Sequence, residues 1–196
     1  AAALGEAGLQ RVTVSLDSLD HDVFEEMNGL GIPIDRVLAG IDAARAAGIS
    51  PVKLNTVVQR GVNEHTAVDL VRHFRGTGVV VRFIEYMDVG GATQWSMDKV
   101  VSSREMLSRL EGHFGSIEPV GDKGSAPAGR YRLPDGTTFG IIASTTEPFC
   151  STCDRSRLTA DGMWFLCLYA AHGIDLRKPL RQGASKDEIR SLIVHG

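Results

Sequence analysis

The sequence predicts an α/β fold, in which a parallel sheet alternates with helices and is followed by a smaller α+β part. Between residues 9 and 88, segments with period-2 apolar alternation take turns with segments of helical periodicity, joined by short links. The 196 residues are 43% hydrophobic and 23% charged, which is typical of globular proteins and excludes wholesale disorder. This length suits one domain, or one domain and a half.

The first part of the chain reads as strand, helices, strand, helix, strand. Asp20 is expected to cap the first helix and Asn63 the third, because short polar side chains satisfy free amide groups at helix starts. Strands joined by helices long enough to cross over predict parallel neighbours. The predicted strands are residues 11–17, 51–59 and 79–87, and the predicted helices begin at residues 21, 35 and 63.

The second part of the chain has a different rhythm. A helix is predicted over residues 103–113, followed by short strands at 129–133, 137–144 and 155–168. Pro134-Asp135-Gly136 and Asp161-Gly162 mark turns between or within these strands. We therefore expect residues 1–100 and 101–196 to form separate domains, the second of them α+β.

Charge and hydropathy exclude several classes of protein. Twenty-one basic and 24 acidic residues give a net charge of −3, so a global basic field for nucleic acid is absent. No apolar run approaches the roughly 18–20 residues that a membrane span requires. A helix without a cap at the start, and a helix that opens at Ser185 close to the end, lead us to expect a piece of a longer protein.

The three cysteines indicate a metal site. Cys150 and Cys153 form a Cys-x2-Cys pair, and the turn at Asp161-Gly162 can return Cys167 to them. Three thiolates suit zinc with one further ligand, such as His172, or an iron–sulfur cluster with one open iron. Three unrelated thiols are the alternative, although the compact spacing is against it, and the spacing alone does not decide between zinc and iron–sulfur.

Two arginines follow the cysteine pair. Arg155 and Arg157 are two residues apart, so on an extended segment they share one face. Guanidinium groups make paired hydrogen bonds to phosphate oxygens, which makes the pair a candidate polyphosphate clamp. Without the cysteines, ordinary surface arginines would be the better interpretation.

Polar residues interrupt the three predicted parallel strands. Strands buried on both faces are usually apolar throughout, and ligands bind at the carboxyl ends of parallel strands. Each residue taken singly is explained by solvent contact or helix capping, whereas three adjacent strands together favour a site. The residues are Ser15, Asp17, Lys53, Asn55 and Glu85.

Four phrases carry a resemblance to a known family. They are VSLDSLD (14–20), KLNTVVQRGVN (53–63), RFIEYMDVG (82–90) and FCSTCDRSRLTADG (149–162), in this order. Together they closely resemble the molybdenum-cofactor biosynthesis protein A family, the radical S-adenosylmethionine GTP 3′,8-cyclases. The resemblance extends over essentially the whole chain and turns the choice of metal towards iron–sulfur.

The resemblance implies a fold and a set of ligands. The fold is part of an incomplete (β/α)6 barrel of the TIM type, followed by a C-terminal domain that holds a second [4Fe-4S] cluster and the GTP site. The residues that match the family's motifs are Cys150, Cys153 and Cys167 for this cluster, Lys53, Arg155 and Arg157 for GTP, and Ser15 and Met87 for S-adenosylmethionine.

The resemblance also implies a lyase-type reaction of molybdenum cofactor biosynthesis. An electron donor reduces S-adenosylmethionine to a 5′-deoxyadenosyl radical, which takes hydrogen from the ribose of GTP so that the ribose carbon attacks C8 of guanine. The product is (8S)-3′,8-cyclo-7,8-dihydroguanosine 5′-triphosphate. The longer protein would be cytoplasmic in a bacterium or mitochondrial in a eukaryote, with a homodimer left open.

One departure limits what the resemblance implies for this chain. The family's first [4Fe-4S] cluster requires a Cys-x3-Cys-x2-Cys loop, which is absent here, as is the Gly-Gly tail. We therefore expect a fragment that carries no catalytic residue of its own and is inactive alone. The alternatives are a non-catalytic GTP-binding iron–sulfur module and a zinc-stabilised three-cysteine domain.

Overall fold

The computed structural model describes residues 1–88, 94–121 and 124–195. The chain divides into two compact units. Unit 1 consists of Ala1–Met87 and Trp95–Thr152, and unit 2 consists of Asp88–Gln94 and Cys153–Gly196. Within the described ranges, no helix is long and apolar enough to cross a membrane.

Unit 1 alternates helices and strands, as the periodicity predicts. Its helices are α1 (Ala2–Glu6), α2 (His21–Asn28), α3 (Ile34–Ala46), α4 (Ala67–Phe74) and α5 (Ser103–Phe114). Its strands are β1 (Val12–Ser15), β2 (Val52–Val58), β3 (Val80–Glu85), β4 (Glu118–Pro119), β5 (Gly129–Arg132) and β6 (Thr138–Ile142). Short 3₁₀ helices occupy Met97–Lys99 and Cys150–Thr152.

The strands of unit 1 form one sheet in the order β1-β2-β3-β6-β5-β4. The neighbours β1, β2, β3 and β6 are parallel, whereas β5 and β4 are antiparallel additions. The predicted parallel sheet is thus confirmed. In its register, Ser15 lies opposite Asn55, Asn55 opposite Arg82, and Arg82 opposite Gly140.

One face of this sheet is the core of unit 1. Alternate residues of β2 and β3 are buried, including Leu54 and Phe83, whereas β6 is buried from Phe139 to Ile142. Leu54 and Phe83 pack in one cluster with the apolar sides of the helices, such as Ile41 of α3 and Leu70 of α4. Because side chains alternate along a strand, the residues between the buried ones of β2 and β3 are directed to the other face.

Two sequence-based expectations differ from the structure of unit 1. Residues 101–196 were expected to form a separate domain, yet β4, β5 and β6 continue the sheet of β1–β3. Asn63 was expected to cap a helix, but that helix begins at Ala67. The side chain of Asn63 instead accepts a hydrogen bond from Gln59 N (2.8 Å) and donates to the carbonyls of Asp17 (2.8 Å) and Val57 (2.7 Å). Asn63 thereby ties the ends of β1 and β2 together.

Unit 2 contains a three-stranded antiparallel sheet and two helices. The strands are β7 (Arg157–Leu158), β8 (Met163–Phe165) and β9 (Ile174–Asp175), and the helices are α6 (Arg177–Arg181) and α7 (Lys186–His195). The single strand predicted over 155–168 is therefore two strands joined by the Asp161-Gly162 turn. Gly162 has a φ of +83°, and a Cβ atom there would lie 2.6 Å from Cβ of Arg177, so the turn requires glycine.

Candidate functional site

The face of the parallel sheet opposite the core is polar. We call Thr13, Ser15, Lys53, Asn55 and Arg82 the polar face. They follow the period of 2 along β1, β2 and β3, and the register aligns Ser15, Asn55 and Arg82 in one row and Thr13 and Lys53 in the next. Three neighbouring parallel strands thus present a surface of hydroxyl, amide and cationic groups.

Besides Thr13, Arg82 is the residue of this face that the sequence analysis did not select. Its Nη2 donates a long hydrogen bond to Thr13 Oγ1 (3.4 Å), so the guanidinium group reaches across β2. Gly140 on β6 leaves room for this side chain, since a Cβ there would lie 3.2 Å from Arg82 Cγ. Arg82 was identifiable in principle, because the period of 2 that selects Lys53 and Asn55 also selects it once the register is known.

Two buried polar atoms on this face have no hydrogen-bond partner among the described residues. They are Nε of Arg82 and Oδ1 of Asn55. Buried polar groups in native proteins are nearly always satisfied, so such atoms call for an explanation. A polar ligand on this face would supply their partners.

The electrostatics of the polar face favour an anion. Burial lowers the pKa of Lys53, and the neighbouring cations Arg82 and Arg11 lower it further. Burial also lowers the pKa of the Arg82 guanidinium. The charged form of each side chain is thus less stable here than in water, and a negatively charged ligand would stabilise it.

The predicted S-adenosylmethionine contacts lie at the carboxyl ends of their strands. Ser15 is the last residue of β1 and is exposed, and Met87 follows the end of β3 by two residues and is half-buried. Lys53 differs, because it is the second residue of β2 and lies near the amino end of that strand. The strand-end rule therefore locates Ser15 and Met87 but not Lys53.

Two of the polar strand residues have structural partners instead of an open site. Asp17 accepts a hydrogen bond from Val57 N (2.8 Å), while burial raises the pKa of its carboxyl. Glu85 points to the core side of β3 and is fully buried among hydrogen-bond donors. The sequence pattern grouped both with Lys53, because polarity alone does not reveal which face a side chain joins.

The three cysteines are free and exposed. Cys150 begins the 3₁₀ helix that ends unit 1, and Cys153 and Cys167 belong to unit 2. Arg155 Nη1 donates to Cys153 Sγ, and the backbone amide of Tyr169 donates to Cys167 Sγ, both at 3.4 Å. Two of the sulfurs thus receive N–H donors from residues two positions further along the chain.

The chemistry of these donors fits a thiolate-bound cluster. Free thiols with N–H groups directed at sulfur are what iron–sulfur centres use, because such hydrogen bonds stabilise the negative sulfur and adjust the reduction potential. In the part of the chain that the structure describes, no group of three His, Cys, Asp or Glu side chains is arranged to hold a metal ion. The three thiols therefore suit an iron–sulfur cluster by their chemistry and their spacing in the sequence, and not by an arrangement around one point.

The predicted phosphate clamp lies in unit 2. Arg155 is half-buried beside Cys153, and Arg157 is exposed and opens β7, where it pairs with Phe165 of β8. Strand β7 begins at Arg157, and Arg155 lies outside it by two residues. Their phosphate-binding role remains a prediction.

Two family models match the chain in succession. The Radical SAM superfamily model matches residues 1–74, and the Molybdenum Cofactor Synthesis C model matches residues 79–196. The second match alone spans more than half of the chain.

Curated relatives extend over nearly all of the chain. A protein named GTP 3′,8-cyclase 1 from Mycobacterium tuberculosis is 53% identical over 193 residues, which are 98% of this chain and 54% of that protein. GTP 3′,8-cyclase 3 from Mycobacterium bovis is 54% identical over 196 residues, which are 100% and 52%. A GTP 3′,8-cyclase from Acidothermus cellulolyticus is 45% identical over 191 residues, 96% and 52%. The chain spans about half the length of these relatives.

A solved structure also resembles part of the chain. It is a radical SAM methyltransferase from Sphaerobacter thermophilus, with a TM-score of 0.42 and 22% sequence identity over 52% of this chain and 30% of that one. A similarity of this size is too low to assign a fold.

Proposed function

The chain belongs to the molybdenum-cofactor biosynthesis protein A family, and on this premise we propose that it is part of a GTP 3′,8-cyclase. The protein would convert GTP to (8S)-3′,8-cyclo-7,8-dihydroguanosine 5′-triphosphate by radical S-adenosylmethionine chemistry. The observation that carries the proposal is the succession of a Radical SAM match and a Molybdenum Cofactor Synthesis C match on one chain.

We assign the GTP contacts to Lys53, Arg155 and Arg157. Lys53 is supported by its position on the polar face, where neighbouring cations and a partnerless guanidinium Nε favour an anion. The same observations support Arg82 as a further phosphate contact. Arg155 and Arg157 are supported by their spacing beside the cysteine segment and by the suitability of guanidinium groups for phosphate.

We assign S-adenosylmethionine contacts to Ser15 and Met87. Both lie where β1 and β3 end, which is where parallel sheets bind ligands. This supports assigning β1, β2 and β3 to the partial barrel that we propose for the family.

We assign the second [4Fe-4S] cluster to Cys150, Cys153 and Cys167. When bound, a cluster with three protein ligands offers its fourth iron to a substrate atom. The chain's own residues would hold the cluster, donate hydrogen bonds to its sulfur ligands, and bind the phosphates of GTP. The S-adenosylmethionine-cleaving cluster and the electron donor must come from outside this chain. Because the named relatives are bacterial, we place the protein in the cytoplasm of a bacterium.

The test is product formation by the protein that the gene for this chain encodes. The protein is purified without oxygen, given GTP, S-adenosylmethionine and a reductant, and assayed by mass spectrometry for the cyclised nucleotide. The proposal requires a product that depends on all three additions. Cleavage of S-adenosylmethionine with GTP recovered unchanged would refute it.

A further inference from the structure

Glu85 is a buried carboxyl to which neither the fold nor the proposed ligands assign a role. It is the last residue of β3, it lies opposite Val58 of β2, and its exposed fraction is 0%. A carboxyl group in such a place is costly unless hydrogen bonds replace its lost water.

Four donors surround this carboxyl. Oε1 accepts from Ser103 N (2.7 Å) and from Thr146 Oγ1 (2.5 Å), and Oε2 accepts from Thr145 N (2.9 Å) and Thr146 N (2.7 Å). Glu85 therefore acts as an acceptor at both oxygens. It joins the end of β3 to the start of α5 and to the loop that follows β6.

The connection to that loop is reinforced by the backbone of β3. Ser144 Oγ donates to the carbonyl of Glu85, and Thr145 Oγ1 donates to the carbonyl of Tyr86, both at 3.1 Å. We call residues 144–146 the clamped segment. Each of its three residues makes at least one hydrogen bond to Glu85 or Tyr86.

The two chain segments that meet here lead directly to proposed ligand sites. Met87 follows Glu85 by two residues, and Cys150 follows Thr146 by four, all within unit 1. We propose that Glu85 is a positioning residue, which anchors the clamped segment to the end of β3 and thereby fixes the starting points of the Met87 and Cys150 segments. The roles of Met87 and Cys150 rest on the proposed function, whereas the anchoring does not.

The chain offers a matched control for Glu85. Glu105 also lies at the start of α5, where it accepts from Ser102 N (3.1 Å) and from Arg60 Nη2 (2.8 and 3.0 Å). Replacing either glutamate with glutamine disturbs the beginning of the same helix. Only Glu85 contacts the clamped segment in these hydrogen bonds.

Amide hydrogen exchange of the metal-free chain tests the anchoring. In Glu85→Gln, one pair of donors loses its acceptor whichever way the amide is oriented, so we expect exchange over residues 144–147 to be about ten- to a hundredfold faster. Thr146→Val removes one hydroxyl and keeps the side-chain shape, and we expect an increase of about threefold or more. Glu105→Gln should leave this segment within about twofold of wild type.

Three outcomes of the exchange experiment would overturn the inference. They are an unchanged segment in folded Glu85→Gln, an unchanged segment in Thr146→Val, and equal acceleration by Glu105→Gln. Exchange in β2 and α4 reports whether each variant is folded. Thr146→Val decides the question on its own if Glu85→Gln does not fold.

The rate at which a chelator removes iron tests the consequence for Cys150. After anaerobic reconstitution, we expect iron loss to be about tenfold faster in Glu85→Gln than in wild type, and unchanged in Glu105→Gln. Equal rates in Glu85→Gln and wild type would overturn the effect on the Cys150 segment. Wild-type protein that retains no iron would refute the proposed cluster, while the exchange result would still decide the anchoring.

Discussion

Among single residues, the cations are the most informative about the ligand. Burial is the main cause that lowers the pKa of Lys53, and the nearby cations Arg82 and Arg11 lower it further. The buried Nε of Arg82 has no hydrogen-bond partner among the described residues. Like charges in a half-buried place destabilise a fold unless something compensates them. We interpret this arrangement as preparation for a phosphate group.

Replacing Lys53 should separate stability from binding. Lys53→Met keeps the aliphatic part of the side chain and removes the repulsion by Arg82 and Arg11, so we expect the ligand-free chain to gain up to about 1 kcal/mol, since solvent screens the charges. GTP affinity should fall by about tenfold or more, because a charge-assisted contact is lost. Urea unfolding and calorimetric titration measure the two effects. Reduced stability together with unchanged GTP affinity would contradict this view of the polar face.

The arginine pair allows a second prediction for single residues. Arg155→Ala and Arg157→Ala should each weaken GTP binding by about ten- to a hundredfold, because paired hydrogen bonds to phosphate are lost. Arg→Lys should restore binding only in part, since an ammonium group cannot reproduce the planar fork. Titration of the reconstituted chain with GTP measures the change.

Two controls accompany the arginine variants. Guanosine lacks phosphates, so its weaker binding should be the same in wild type and variants. Arg190→Ala removes an exposed arginine of α7 and should leave GTP affinity unchanged. If Arg155→Ala and Arg157→Ala bind GTP as wild type does, with iron content intact, these residues are ordinary surface arginines.

Among the elements, α5 shows how local sequence fixes a helix start. Ser102 and Glu105 form a capping box, in which each side chain bonds to the backbone amide of the other residue. Arg60 adds a salt bridge to Glu105 (2.8 Å), and its hydrogen bond is the main reason that the pKa of Glu105 falls to about 2. The carboxylate also interacts favourably with the dipole of the helix.

This capping box predicts a defined dependence on pH. The pKa of Glu105 is lowered to about 2 from its usual 4.5 in the folded chain, so its contribution is complete above about pH 4.5 and is lost as the pH falls towards 2. Glu105→Gln should cost about 1 kcal/mol at pH 7 and less at pH 3, because the group is partly exposed. Urea unfolding at both pH values tests this. An equal cost at pH 7 and pH 3 would contradict it.

The sequence predicts most elements, and it fails where a distant partner decides. Asp20 and Ser185 are identifiable at helix starts because each satisfies amides within three residues. Asn63 is also a short polar residue of the kind that caps helices, but its side-chain amide donates to carbonyls at the ends of β1 and β2. No local sequence pattern reveals these distant partners. The cluster and phosphate assignments of the cysteines and arginines rest on spacing and stay predictions. Arg82 and the orientation of Glu85 require the register of the sheet.

In the whole molecule, one sheet contains strands from both sides of the domain boundary that the sequence predicts at residue 100. Strand β6 lies parallel to β3, so residues from both predicted domains share one core. The sequence pattern changes near residue 100 because the strands after that point are joined by short turns. These turns accompany the change from parallel to antiparallel strands within the same sheet. The second compact unit instead begins at Cys153, within the cysteine segment, and also includes Asp88–Gln94.

The cysteine count predicts what the chain does alone. Its three cysteines suffice for one cluster, and none remain for a second one that would cleave S-adenosylmethionine. We therefore expect reconstituted chain, S-adenosylmethionine and reductant to yield no 5′-deoxyadenosine above a protein-free control. Liquid chromatography with mass detection measures it. Release of 5′-deoxyadenosine in proportion to added chain would contradict the assignment of all three thiols to one cluster.

The measurement that tests the proposed function most directly is the metal content of the anaerobically reconstituted chain. Iron, sulfide and zinc are counted in wild type and in Cys150→Ala, Cys153→Ala and Cys167→Ala. We expect about four irons and four sulfides per wild-type chain, and a loss of most of both in each variant, with lower stability because bound metal contributes to folding. A colourless protein with one zinc per chain, or iron that survives all three substitutions, would contradict the proposed cluster.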